Sequence, residues 1–459
     1  MKKRYIAVGL AGVLLAGAAT TAYVVTPTVH PGQSGESPEL GRTGEFAVGT
    51  ELREYALPDR TRIDGWGALT GSLDEVERKV SVRIWYPAQQ PSGAEALRYE
   101  HTMEPRTQVP VKVVSQGIAF DGAQPLTGEK FPLVLMSHGF GGWDTQFSNL
   151  GEHIASRGYV VASIDHADQQ SEGLTDFLIS FGNVLVDRTL DQRQVLDQIV
   201  SAAQSGGEPV SALIDPEHIG LIGYSMGGYG AIATAGAPYS FTNEPMANLP
   251  TAAQEQLVAA TADAADIDAL VAFAPWGGQP DNRAWTAESL AKINVPTLVV
   301  AGNQDDVVNY SDGVTWLFDN LIGSDRYMLV YREARHNIVG NAFEMPEDSS
   351  FTASEFLMEP VWRGERLNAI NQHFVTAFLD MTLKGDTSKA DYLNVPAVDS
   401  NDSNWEVAFG EQLNGTLAGD GQPEHWRGFQ RRWAIGLEMY AAKAGKAGKA
   451  AASGAKASK

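Results

Sequence analysis

Short, almost wholly apolar runs recur through the middle of the chain. Each is bounded by turn-forming residues and followed by a longer, amphipathic stretch. Phe131 to Met136, Tyr159 to Ile164, Ile219 to Ile222, Ala269 to Phe273, Thr297 to Val300 and Tyr327 to Tyr331 are of this kind. A run that is apolar on both faces suits an interior strand of a parallel sheet, because helices cover both of its sides. Val80 to Tyr86 alternates apolar and polar residues instead, and predicts an early strand with two different faces. Leu190 to Ala203, Ser289 to Ile293 and Phe374 to Leu383 are helix candidates, the last closed by Lys384-Gly385. Strands alternating with helices predict an α/β fold built on a doubly wound, mostly parallel sheet.

Two stretches exceed what such a fold needs. Asp165 to Arg188 carries Phe177, Leu178, Phe181 and Val184, and Gly340 to Arg366 carries Phe343, Phe351, Phe356 and Trp362. Both follow strand ends, where substrate-shaping loops gather, so both are expected to be lid-like insertions. At the start, Lys2, Lys3 and Arg4 precede an uncharged apolar run from Ile6 to Val25. That order reads as an export leader over residues 1–25, either cleaved near Ala16 to Ala22 or kept as a membrane anchor. Residues 26–43 read as a linker, 44–440 as the folded domain, and 441–459, rich in Lys, Ala and Gly, as a disordered tail.

Composition narrows the partners. With 43% hydrophobic residues in 459, the chain can bury a sizeable core. A formal net charge of -22 repels nucleic acid and anionic head groups, and no DNA or RNA partner is expected. There is no cysteine, which removes disulfides, thiolate metal sites and a thiol nucleophile. His166 and Asp168 lie close enough in sequence to suggest metal ligands, but hydrogen bonding within the fold is the expected use, and no metal or cofactor is implied.

The chemistry centres on Gly223-Tyr224-Ser225-Met226-Gly227, which follows the apolar strand and precedes the small-residue helix start Gly228-Tyr229-Gly230-Ala231. Glycines on either side of a serine permit the sharp strand-to-helix turn that stands a nucleophile proud of the sheet. A serine hydroxyl then needs a base, and the base an acid. In this architecture they follow in the order serine, acid, histidine. His336, His373 and His425 follow Ser225. His336 lies just past the strand Tyr327 to Tyr331 and is the expected base, whereas His373 falls in a helix and His425 beside Trp426. For the acid, Asp305 closes the turn after Thr297 to Val300, with Asp306 next to it and Asp281 after the preceding strand as alternatives. The backbone N–H groups of Met226 and of Phe140, in Ser137-His138-Gly139-Phe140-Gly141-Gly142, are the expected oxyanion donors.

His138-Gly139-Phe140-Gly141-Gly142, Gly158-Tyr159-Val160-Val161-Ala162 with Asp165-His166, and Gly223-Tyr224-Ser225-Met226-Gly227-Gly228 together resemble the bacterial α/β hydrolases related to platelet-activating-factor acetylhydrolase, the dienelactone-hydrolase-like esterases. Gly44 to Gly49 and Ile84 to Ala88 resemble the opening strands of that group, so the resemblance runs from about Gly44 to Leu437. It implies the α/β-hydrolase fold and cofactor-free ester hydrolysis by Ser225, Asp305 and His336. Dienelactone hydrolases proper use a cysteine, which this chain lacks, and the acetylhydrolases can place the acid one strand earlier, at Asp281. Ala274-Pro275-Trp276 with the serine motif resembles the cutinase-like polyester hydrolases, in which Phe140 and Trp276 would line the acyl cleft. The expected protein is therefore an exported, monomeric serine esterase acting on a small-molecule, lipid or polymer ester. A peptidase or amidase would need room for an extended chain, and a binding protein on the same fold would have no use for an intact triad.

Overall fold

The computed structural model describes residues 37–65, 67–103, 111–168, 173–403, 425–430 and 433–446. The leader, residues 26–36 of the linker and residues 447–459 of the tail read from the sequence fall outside these residues.

A long antiparallel pair opens the fold, β1 (Ala47–Arg62) with β2 (Asp74–Ala88). The alternating run Val80 to Tyr86 is the buried half of β2. A separate two-stranded sheet follows, β3 (Arg98–Met103) with β4 (Val111–Gln116), and then the short β5 (Phe120–Asp121). The predicted apolar runs become β6 (Phe131–Ser137), β7 (Val160–Asp165), β8 (Ile214–Tyr224), β9 (Ala269–Phe273), β10 (Thr297–Gly302) and β11 (Arg326–Tyr331). They pair in parallel in the order β7-β6-β8-β9-β10-β11. β2 adds antiparallel beside β7, and β12 (Leu437–Ala442) adds antiparallel beside β11. The chain has the α/β-hydrolase fold, a ten-stranded and mostly parallel sheet.

Helices cover both faces. They include α1 (Ser148–Ser156), α2 (Leu174–Ser205), α3 (Met226–Thr234), α4 (Thr251–Ala260), α5 (Thr315–Asn320), α6 (Phe351–Leu357) and α7 (Gly364–Thr382). Central strands such as β9 and β10 are buried along their whole length, as their apolar sequences require.

Several boundaries differ from the sequence reading. The helix placed at Leu190 to Ala203 begins at Leu174, so most of the first lid-like stretch is the opening half of α2. Gly364–Arg366 likewise begins α7 rather than ending an insertion. The last residues of the expected linker are packed: Leu40 is buried, and its N–H donates to His373 Nδ1 at 3.1 Å. At the other end, β12 takes Ala441 and Ala442 out of the expected tail, and Lys443 pairs with Asp325 at 2.8 Å.

The register matters for function. Ser137 pairs with Gly223, Tyr224 with Phe273, Phe273 with Val300, and Gly302 with Tyr331. The C-terminal ends of β6, β8, β9, β10 and β11 therefore form one row, and the loops leaving them open on the same edge of the sheet. Ligand sites of open α/β sheets lie on that edge.

Candidate active site

Ser225 sits between the end of β8 and the start of α3, with φ 51° and ψ -113°. That is a strained backbone for a residue with a side chain, and such strain gathers at functional turns. The turn is possible only because its neighbours are small. A Cβ on Gly227 would lie 2.1 Å from the Ser137 carbonyl oxygen, so any larger residue would push β6 and α3 apart. The N–H of Ser225 donates to Phe273 O at 2.9 Å, which fastens the turn to β9.

His336 arrives on the loop after β11, and its Nε2 is 3.0 Å from Ser225 Oγ. Its Nδ1 is 2.7 Å from Asp305 Oδ2. Asp305 leaves the end of β10 and is buried, and its other oxygen accepts from the N–H groups of Val307 at 2.9 Å and Val308 at 3.1 Å. Those bonds fix the carboxylate plane, so the free oxygen has one direction in which to hold an imidazole. The two loops are also joined to each other. Gln304 N–H donates to Ala334 O at 2.9 Å, and Glu333 N–H to Asn303 Oδ1 at 2.7 Å. The structure thus brings Ser225, His336 and Asp305 into one hydrogen-bonded line.

The alternatives fall elsewhere. Asp306 turns outward and pairs with Arg335 at 3.0 Å. Asp281 lies in a short 3-10 helix, Pro280–Asn282, and is exposed. His373 is buried among Phe374, Tyr392 and Phe429.

The glycine turn after β6 runs beside Ser225. A Cβ on Gly139 would stand 3.2 Å from that of Ser225. The N–H of Met226 is one of the first in α3 and has no acceptor within the helix. Phe140 and Met226 thus flank Ser225 from two elements. His166 and Asp168 make the expected hydrogen bonds within the fold: His166 meets Asp191 at 2.8 Å and Ser137 at 2.7 Å, and Asp168 pairs with Arg188. Among the described residues no group of three or more His, Asp or Glu side chains is arranged to hold a metal ion.

An aromatic cluster lies beside the Ser225 turn. The backbone N–H of Trp276 donates to Ser225 O at 3.2 Å, which ties this residue to the turn. Phe181, from α2, makes edge contacts with Trp276 at 5.5 Å and with Phe140 at 5.8 Å. Phe177 packs parallel to Phe181 at 5.9 Å and is partly exposed beside Leu174 and Leu178. The second lid-like stretch has a different task. Phe343 and Phe356 pack with Val111, Val113 and Trp143 in a small second core. Asn337, next to the candidate base, donates to Glu355 O at 2.7 Å and Met358 O at 3.0 Å. Arg335 N–H donates to Glu359 at 3.1 Å. The stretch therefore braces the histidine loop. Tyr224 does the same from below, its hydroxyl 3.2 Å from Asn337 Oδ1. Phe181 is marked in the sequence by its place in an apolar stretch after a strand end, but no local signal marks Tyr224 or Glu359 for these positions, because each acts on a residue far away in the chain.

Known proteins share parts of this chain. Residues 43–180 match the family model described as platelet-activating factor acetylhydrolase, isoform II, and residues 123–255 match the one described as PET hydrolase-like. The chain has the α/β-hydrolase fold and is similar to both families over these segments. The platelet-activating factor acetylhydrolase of Cavia porcellus is 29% identical over 143 residues, covering 24% of this chain and 32% of that protein. That of Bos taurus is 31% identical over 103 residues, covering 20% of this chain and 23% of its own. The chain thus spans a third or less of the length of these relatives. The glycine turn after β6 lies within both matched segments and Ser225 within the second, while Asp305 and His336 lie beyond them.

Proposed function

We propose that this α/β hydrolase is a serine esterase that cleaves carboxylic esters through an acyl-enzyme. The observation that carries this reading is the line Ser225 Oγ, His336 Nε2, His336 Nδ1, Asp305 Oδ2, with contacts of 3.0 and 2.7 Å at a strained strand-to-helix turn. Ser225 attacks the ester carbonyl while His336 takes its proton. Asp305 holds the ring and stabilises the imidazolium. The N–H groups of Phe140 and Met226 bind the oxyanion. His336 then protonates the leaving alcohol, and water, activated by the same ring, releases the acid. The relationship to acetylhydrolases and PET hydrolase-like proteins supports an ester as substrate. The test is a fluorophosphonate probe with short p-nitrophenyl esters. Labelling and turnover that both vanish in Ser225→Ala support the reading. An unlabelled, inactive wild type would sink it, and turnover of peptides alone would move the activity to a peptidase.

The acyl group can be narrowed. A polyester cleft would use the space between Phe140 and Trp276, and Phe181 bridges those two rings. This supports a small acyl group rather than an aromatic one. Phe181→Ala should raise kcat/KM for benzoate-sized esters about tenfold relative to acetates, since a methylene or two of pocket space is worth about 1–3 kcal/mol. An unchanged acyl preference would remove Phe181 from this role.

Export is supported by the basic start and the apolar run of residues 6–25, outside the described residues. Among the described residues no helix is long and apolar enough to cross a membrane. N-terminal sequencing of the mature protein decides between a cleaved leader, with a start near Ala16 to Ala22 or beyond, and an anchor beginning at Met1. We read the enzyme as a monomer whose catalytic domain spans about residues 44–440, which size-exclusion chromatography with light scattering checks.

A further inference from the structure

One ion pair reaches both peptide groups that flank Phe140. Arg188, on α2, meets Asp168 with two parallel hydrogen bonds, Nη1 to Oδ1 at 2.7 Å and Nη2 to Oδ2 at 2.5 Å. Both side chains are buried, at 0% and 4% exposure. Arg188 Nη2 also donates to the Gly139 carbonyl oxygen at 3.0 Å. Asp168 Oδ2 also accepts from the Gly141 N–H at 2.7 Å. The first contact holds the Gly139–Phe140 peptide by its oxygen, and the second holds the Phe140–Gly141 peptide by its nitrogen.

The planarity of the peptide gives this a direction. Gly139 C=O and Phe140 N–H belong to one trans unit, so they point in opposite directions and turn together. A cation fixed on the oxygen therefore aims the N–H away from itself. The same cation draws electron density toward the oxygen and makes the N–H a stronger donor, since linked hydrogen bonds polarise one another. His138 adds a second donor. Its Nε2 accepts the backbone N–H of His166 at 3.0 Å, so the ring proton is on Nδ1, 2.7 Å from the same Gly139 oxygen. Burial, and then the charge of Arg188, push His138 below its usual range, which keeps it neutral in this arrangement.

We propose that Arg188, held by Asp168, is the positioning residue of the oxyanion site: it aims and polarises the Phe140 N–H through the Gly139 carbonyl. The inference rests on the esterase reading above. It concerns the transition state, because the donor matters most when the carbonyl oxygen carries full charge. Substrate binding in the ground state is little affected.

The test uses the full chain and the double variant Arg188→Met with Asp168→Asn. Neither substitution then leaves an unpaired buried charge, and the introduced amide oxygen still accepts from the Gly141 N–H. Expected are an unfolding midpoint close to the wild type, a kcat lower by about 10- to 100-fold and a KM within about threefold. Affinity for a trifluoromethyl ketone, whose adduct on serine carries an oxyanion, should fall by the same factor as kcat/KM. A folded double variant with kcat within about threefold of the wild type overturns the proposal, as does a loss carried wholly by KM. If the double variant does not fold, Arg188→Lys keeps the charge but loses the paired contacts, and the same split between kcat and KM decides. A wild type with no turnover dependent on Ser225 overturns the esterase reading and this inference with it. An active wild type with an unimpaired variant overturns this inference alone.

Discussion

Ser225→Ala and His336→Ala are each expected to lower kcat by about a millionfold, and the double variant no further. The residues act as one unit. Without the base the hydroxyl is a poor nucleophile, and without the hydroxyl the base has nothing to activate. Asp305→Asn should cost less, about ten-thousandfold, because an amide can still hold the ring but favours the wrong tautomer. Asp306→Asn and Asp281→Asn serve as controls, since the first loses only an exposed pair with Arg335 and the second is exposed. Single-turnover kinetics on a p-nitrophenyl ester, with unfolding curves for each variant, separate chemistry from stability. Activity that survives Asp305→Asn but fails in Asp281→Asn would move the acid one strand earlier. Losses that multiplied in the Ser225/His336 double variant would mean that the two act separately, contrary to their 3.0 Å contact.

The parallel strands were legible because each had to be apolar on both faces, and a run such as Tyr159 to Ile164 is hard to read otherwise. The position of Ser225 was legible for a similar reason: only glycines allow the approach at Gly227. His336 and Asp305 followed from strand ends, since loops leaving one row of strands converge. The antiparallel margin was harder. β1 and β2 carry charged residues such as Glu54, Arg60 and Arg78 through strands of 16 and 15 residues, so their pattern resembles an irregular surface. The early start of α2 was hidden because Leu174, Phe177 and Leu178 are exposed and the helix lacks a clean apolar stripe there. Nothing local shows that Arg60 and Arg78 run inward. Their partners are on α2, more than a hundred residues later, and only the folded sheet brings them together.

That buried charge is where the largest stability effect is expected, and Asp191→Ala should cost about 3–5 kcal/mol at pH 7. Asp191 is on α2 and fully buried. It accepts from Arg60 Nη1 at 2.5 Å, from Arg78 Nε at 2.7 Å and Nη2 at 2.6 Å, and meets His166 Nδ1 at 2.8 Å. Alanine is a good helix former, so the helix itself loses nothing. The cost comes from two guanidinium groups left in the interior with Asp187 as their remaining buried carboxylate. The pH dependence separates charge from packing. Burial opposes ionisation of Asp191, but the hydrogen bonds and charge of Arg78, with His166 and Arg60, outweigh it and hold the carboxyl well below its usual range. A carboxyl with a depressed folded pKa stabilises the native state above its unfolded value, about pH 4, and loses that contribution as the pH falls further. Urea unfolding of wild type and variant should therefore differ by a constant amount from neutrality to about pH 5 and converge below pH 4. A gap that stays the same in acid would assign the loss to packing. Because His166 links Asp191 to His138, and His138 to the Gly139 carbonyl, the variant should also turn over esters more slowly than its stability alone accounts for, while it remains folded.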